Sequence, residues 1–229
     1  MRAHDGDRRV RRTAPDMSSR LLEGAVRQRR AGGLAFAIGL AVAFGVAGVT
    51  PAYGHGGTGL PGGFESGFWH PFTGWDHLLA MVSVGIWGAF LGRPLIYALP
   101  VIFPAMMAGG AILGMFSVPM PSVELGIAAS VLVLGLCVCL AIEAPVWAAC
   151  TIVAIFAAFH GYAHGVELPS AADPVGYSVG FVLATGLLHV CGISVGLLNA
   201  RPIGVIVTRS VGAAIALAGG WYLWLALGL

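Results

Sequence analysis

The chain has 229 residues, of which 58% are hydrophobic and only 10% charged, and its mean hydropathy is +0.87. A soluble domain carries about 25% charged residues, so this composition excludes an ordinary globular enzyme and points to a membrane-embedded chain. The net charge of +2 averages two unlike regions: nine of the twelve basic residues, all Arg, precede position 31, whereas from His55 onward three Arg face six acids. A basic arm is one mark of a nucleic-acid binder, but its place beside an apolar run explains it better, and no nucleic-acid partner is expected.

Residues 1–54 read as an Arg-rich leader and signal peptide. The apolar run Ala31 to Val49 follows Arg29-Arg30 and ends at Thr50-Pro51-Ala52-Tyr53-Gly54. A basic n-region, an apolar h-region and small residues at its end describe a secretory signal. Ala52 and Gly54 suit the cleavage positions, which would leave His55 at the new N-terminus. The rival reading is an uncleaved first transmembrane helix. Starting from Met17 would give a signal of more ordinary length.

Residues 55–72 form a Gly-rich outer segment, and residues 73–229 divide into six apolar segments. The predicted spans are Thr73–Leu91, Leu95–Phe116, Ser122–Ile142, Pro145–Glu167, Pro174–Asn199 and Ile203–Gly228. Each approaches or exceeds the ~20 residues that cross ~30 Å of hydrocarbon at ~1.5 Å per residue. Gly92-Arg93-Pro94, Pro119-Met120-Pro121, Glu143-Ala144-Pro145, Pro169 to Pro174 and Arg201-Pro202 mark the breaks. Proline removes a helical donor and restrains the residue before it. Pro100 and Pro104 fall inside the second segment and predict a kink there. The expected fold is all-α, a polytopic bundle of six transmembrane helices after a signal peptide.

Orientation follows from the remaining arginines. If the leader delivers His55 outside, the first helix runs inward, and Arg93, Arg201 and Arg209 fall on the cytoplasmic side as the positive-inside rule asks. The same count carries His70, Asp76 and His77 to the outer end of the first helix. It carries His160, His164 and Glu167 to the outer end of the fourth, so both polar blocks are expected at one face.

Ionisable groups at membrane depth are costly and persist where they line a path, bind an ion or serve chemistry. His160, His164 and Glu167 stand at i, i+4 and i+7 and share one helical stripe. Imidazole suits Ni, Cu, Zn and Co, and a carboxylate completes a borderline site. The bland alternative, an imidazole that hydrogen-bonds between helices, fits a lone His better than this paired pattern. Gly161 and Gly165 lie on the neighbouring face, where small residues allow close helix approach. Asp76 and His77 diverge by ~100° on an ideal helix, so they do not both aim at one ion. Either Asp76 holds an imidazole tautomer from behind, or the segment before Trp75 is not helical. Thr73-x-x-Asp76 resembles a capping box, which would start the helix at Thr73 with His70 on an extended approach.

His189 in the fifth segment is either a deeper station on an ion path or a helix-packing residue. Glu124 and Glu143 sit at helix ends and read as solvated. Cys137, Cys139, Cys150 and Cys191 show no paired spacing and read as small packing residues. Trp221 and Trp224 suit an interfacial belt.

The spacing His70-x5-Asp76-His77 and the run Phe159-His160-Gly161-x-Ala163-His164-Gly165-x-Glu167 resemble the two signature motifs of the HupE/UreJ family. That resemblance implies a small inner-membrane nickel permease associated with hydrogenase or urease. It assigns metal uptake to His70, Asp76, His77 and Glu167, joined by His160 and His164, with His55 as a further match near the freed N-terminus; the deeper station at His189 rests on its place in the fifth segment and not on the resemblance. It also implies Ni2+ as transported substrate and no permanently bound cofactor; the donor set leaves Co2+ or Zn2+ as alternatives, and the arginine count turns both motifs to the periplasm. The expected partners are the metal ion, the bilayer and maturation proteins of a nickel enzyme. The long Arg-rich extension and the start His55-Gly56-Gly57 depart from the family pattern without touching either motif. No Walker-type phosphate loop is present, so ATP-driven pumping by this chain is not expected. The alternative from another class is a membrane-embedded zinc hydrolase with Glu167 or Asp76 as general base. No His-Glu-x-x-His motif supports it.

Overall fold

A computed structural model describes residues 63–167 and 173–228, apart from the side chain of Glu167. The leader, the signal peptide, His55 and residues 168–172 lie outside the described residues. The described residues form seven α-helices: α1 (Gly63–Thr73), α2 (Trp75–Leu91), α3 (Leu95–Met115), α4 (Val123–Cys139), α5 (Val146–Glu167), α6 (Pro174–Gly196) and α7 (Pro202–Ala226). A 3-10 turn, Leu197–Ala200, joins α6 to α7. The expectation of an all-helical bundle holds among the described residues, and each of the six apolar segments corresponds to one of α2 to α7, with α7 beginning one residue early at Pro202.

Four helices (α3, α5, α7, and α6 with its following turn) are long and apolar enough to cross a membrane. The pair α1 and α2 meets that test together but is bent by 78° at Gly74. α4 is an apolar helix of only 17 residues. Its predicted span to Ile142 is too long, because Leu140 to Ile142 form the closing turn. Ala141 takes a left-handed φ of 52°, and the N–H of Ile142 returns to the carbonyl of Cys137 at 2.9 Å. Apolar residues continue past the helix end, and backbone capping stops it three residues early. These apolar helices make the chain a multi-pass membrane protein.

The outer segment differs from the sequence reading as well. Residues 63–73 are helical, so His70 rides on α1 and not on an extended stretch. Glycine disfavours an isolated helix here, but Gly67 lets the backbone of α1 close on Tyr177 of α6, and Gly180 receives Phe64 in return. Tertiary contact supplies what propensity lacks.

α2 is the central helix. Ala80, Met81, Val84, Ile86 and Trp87 are fully buried, as expected of a helix that is apolar on every side. Gly85 meets the carbonyl of His189, and Gly192 meets that of Val82, which sets α2 and α6 side by side and parallel. Gly161 and Gly165 of α5 face the carbonyls of Met107 and Ala111 on α3, so this pair is also parallel and closely packed. The close approach expected at those two glycines is present. α4 and α7 run antiparallel, with Gly135 against Ala216 and Gly212 against Cys139.

This topology sorts the polar residues to opposite ends. Arg93 and Arg201 follow the C-terminal ends of the parallel helices α2 and α6, and the Arg209 Nε donates to the carbonyl of Cys139 at the end of α4 at 2.8 Å. Both His-bearing blocks lie at the other end.

Candidate functional site

The break at Gly74 creates the first half of the site. Gly74 takes an extended conformation (φ −86°, ψ 101°) and caps α2 without a side-chain hydrogen bond. Thr73 Oγ1 donates instead to the carbonyl of His70 at 2.9 Å, so the expected capping box does not form. The turn swings α1 aside and sets the His70 ring 6.1 Å from that of His77.

Asp76 resolves the angular problem posed by two adjacent polar residues. Its Oδ1 accepts from the His77 backbone N–H at 2.9 Å and lies 2.9 Å from His77 Nδ1. The carboxylate therefore braces the imidazole and leaves Nε2 as the outward nitrogen. With Nδ1 as the donor, Nε2 keeps its lone pair. His77 is buried, whereas the Asp76 side chain is 37% exposed.

The second half comes from α5. His160 is fully buried, and its Nδ1 lies 2.9 Å from the carbonyl of Phe156. A carbonyl only accepts, so Nδ1 carries the proton and Nε2 is again the bare nitrogen. Among the described residues, Nε2 of both His77 and His160 has no hydrogen-bond partner. Such buried orphans call for a physical explanation.

The halves meet ring to ring. Centroids of His77 and His160 are 4.7 Å apart, those of His77 and His164 also 4.7 Å, and those of His70 and His164 4.8 Å. Four imidazoles from α1, α2 and α5 thus adjoin at one end of the bundle. The backbones of α2 and α5 barely approach, so these rings fill the space between them. α6 closes the side: Phe181 packs at 4.5 Å on His164, and Tyr177 lies 5.9 Å from His70.

The cluster is a row of adjoining rings rather than a single cage. Among the described residues, no group of three or more His, Cys, Asp or Glu side chains is gathered closely enough to hold one metal ion. Glu167 ends α5, one turn beyond His164, with its side chain outside the described set. His189 stands apart from the four, with Phe103 between it and His160. No cysteine joins the imidazoles; all four thiols are free, and Glu124 and Glu143 are exposed.

Sequence reasoning missed Phe103, Tyr177, Phe181 and Thr185. The last three stand four apart from one another, and His189 continues the series on α6. That stripe was the available signal, hidden because apolar residues carry no contrast in an apolar chain.

The HupE / UreJ protein family matches residues 28–222. "Protein HupE" of Rhizobium leguminosarum bv. viciae is 43% identical over 170 residues, covering 74% of this chain and 89% of that protein. No solved structure matches the chain significantly. Neither the family nor the site supports the zinc-hydrolase alternative. The matched span contains both polar blocks and nearly all of the apolar helices, and the chain belongs to the HupE / UreJ family.

Proposed function

We propose that this protein is a secondary permease for a divalent transition metal, with Ni2+ as the first candidate substrate and Co2+ as the second, supplying the maturation of hydrogenase or urease. It resides in the bacterial cytoplasmic membrane with six spans, α1 and α2 counting as one bent span and the short α4 as another. The imidazole end faces the periplasm, and the arginine end faces the cytoplasm. Family membership supports the class of substrate.

The observation that carries the reading is the run of four adjoining imidazoles, two of them with a bare, buried Nε2. A dication arriving at His70 exchanges part of its water for imidazole nitrogen and passes between neighbouring rings. Asp76 and Glu167 offset its charge where bare imidazoles would not. Few ligands act at a time, so the ion is held weakly enough to leave. His189 is a later contact on the same path, and a His55 freed by cleavage would meet the ion first. Cytoplasmic metal-binding partners maintain the gradient that drives facilitated diffusion.

The test is nickel accumulation in cells stripped of other nickel importers. Cells expressing the full chain accumulate nickel, and His164→Ala abolishes this at equal membrane abundance. Unchanged accumulation in the variant contradicts the site assignment.

A further inference from the structure

Beyond the four-imidazole cluster lie two buried polar side chains that nothing among the described residues satisfies. They are Thr185, through Oγ1, and His189, through both Nδ1 and Nε2. Each is only 1% exposed. They stand four residues apart on α6 and therefore share a stripe, one turn from each other. The other buried Ser and Thr hydroxyls among the described residues behave differently. Ser83, Ser130 and Thr208 each donate to a carbonyl of their own helix, at 2.7, 2.6 and 3.0 Å. Thr185 has the same option on its helix and does not take it.

A cavity of about 110 Å³ lies beside Thr185. Its walls come from α3, α5 and α6, and they include both His164 and Thr185, with Phe181 and Pro104 also lining it. A space of this size holds several waters, since about 10–15 Å³ of such volume suffices for one. Its volume leaves room for a cation with part of its hydration, within walls that are apolar apart from His164, Tyr177, Ser178 and Thr185. Positions 177, 181, 185 and 189 form one stripe on α6; the first three line the cavity, and His189, which is not among its lining residues, follows one turn beyond Thr185. The fully buried Phe103 ring packs against both His160 and His189, at 5.8 and 5.3 Å.

We infer that Thr185 and His189 form a second cation station, reached from His164 through this cavity. A divalent transition metal is held there by one imidazole nitrogen, the Thr185 hydroxyl oxygen and retained water. Imidazole suits Ni2+ and Co2+, and the hydroxyl and retained water complete the coordination with neutral oxygens. The two unsatisfied side chains are then the ligands of a passing ion. This station rests on the permease reading.

The experiment measures Ni2+ flux into proteoliposomes containing the purified full chain, with Thr185→Val, Thr185→Ser and His189→Leu as variants. Thr185→Val lowers the flux about tenfold, the usual scale for losing a supporting group at a metal site. It leaves the melting temperature in detergent unchanged or raised, because an unsatisfied hydroxyl is removed. Thr185→Ser restores the flux, and His189→Leu reduces it at least as far as Thr185→Val. The first equivalent of Ni2+ still binds all three with wild-type affinity, since the outer cluster is intact. Wild-type flux through Thr185→Val and His189→Leu overturns the station alone. Absence of flux through the wild-type protein overturns the permease reading and the station with it.

Discussion

His77 and His160 face each other at 4.7 Å, and each is fixed through Nδ1 so that its bare nitrogen is Nε2. One is braced by a carboxylate and the other by a backbone carbonyl, yet the outcome is the same tautomer. A metal ion needs that lone pair, and preorganising it removes a step from binding.

The tautomers are directly observable. In 15N spectra of imidazole-labelled protein, His77 and His160 show protonated Nδ1 and pyridine-like Nε2. Added Zn2+, as a diamagnetic probe, perturbs the Nε2 resonances first. Protonated Nε2 in either residue contradicts the assignment.

Asp76→Asn removes the carboxylate while keeping its size. The amide holds the His77 Nδ1–H less firmly, and its own NH2 competes to donate to that nitrogen. Ni2+ affinity in detergent falls by about 10–100-fold, as for other partners of metal-binding imidazoles. Calorimetric titration of the purified protein reads this directly. Equal affinity in the variant assigns Asp76 no part in the site.

The α3–α5 contact predicts a pair of opposite glycine effects. Gly161→Val drives a side chain into the carbonyl of Met107 and lowers stability by about 1–3 kcal/mol. Gly109→Ala meets open space on α3 and gains about 0.5–1 kcal/mol from helix propensity. Thermal unfolding in detergent separates the two.

The proposed orientation puts both the imidazoles and the end of α7 outside. Alkaline phosphatase fused after residue 229 is active, and green fluorescent protein at the same site is dark. The reverse pattern inverts the proposed direction of uptake.

Much of this arrangement was legible in the sequence, for identifiable reasons. The breaks near Arg93 and Arg201 carried Gly, Pro and charge, all of which stand out against apolar helices. Gly161 and Gly165 announced a close helix contact, and the arginine count put both His blocks at one end before any geometry was known. α1 was hidden because its glycines mimic a linker, whereas Gly67 admits the backbone of α6 and Gly63 the side chain of Asp173. The true end of α4 was hidden because Leu140 and Ile142 are as apolar as the helix they follow. Phe103 was illegible for the same reason: only its position between two imidazoles distinguishes it from other buried rings. Asp76 was ambiguous from spacing, and one pair of hydrogen bonds places it behind His77.

The most direct test of the central claim is Ni2+ flux into sealed proteoliposomes containing the wild-type chain, compared with His77→Ala and His160→Ala. Saturable Ni2+ flux through the wild-type protein, lowered by about tenfold or more in each variant at equal reconstitution, is the predicted result. Wild-type vesicles no more permeable than empty ones, or variants as fast as wild type, would contradict it.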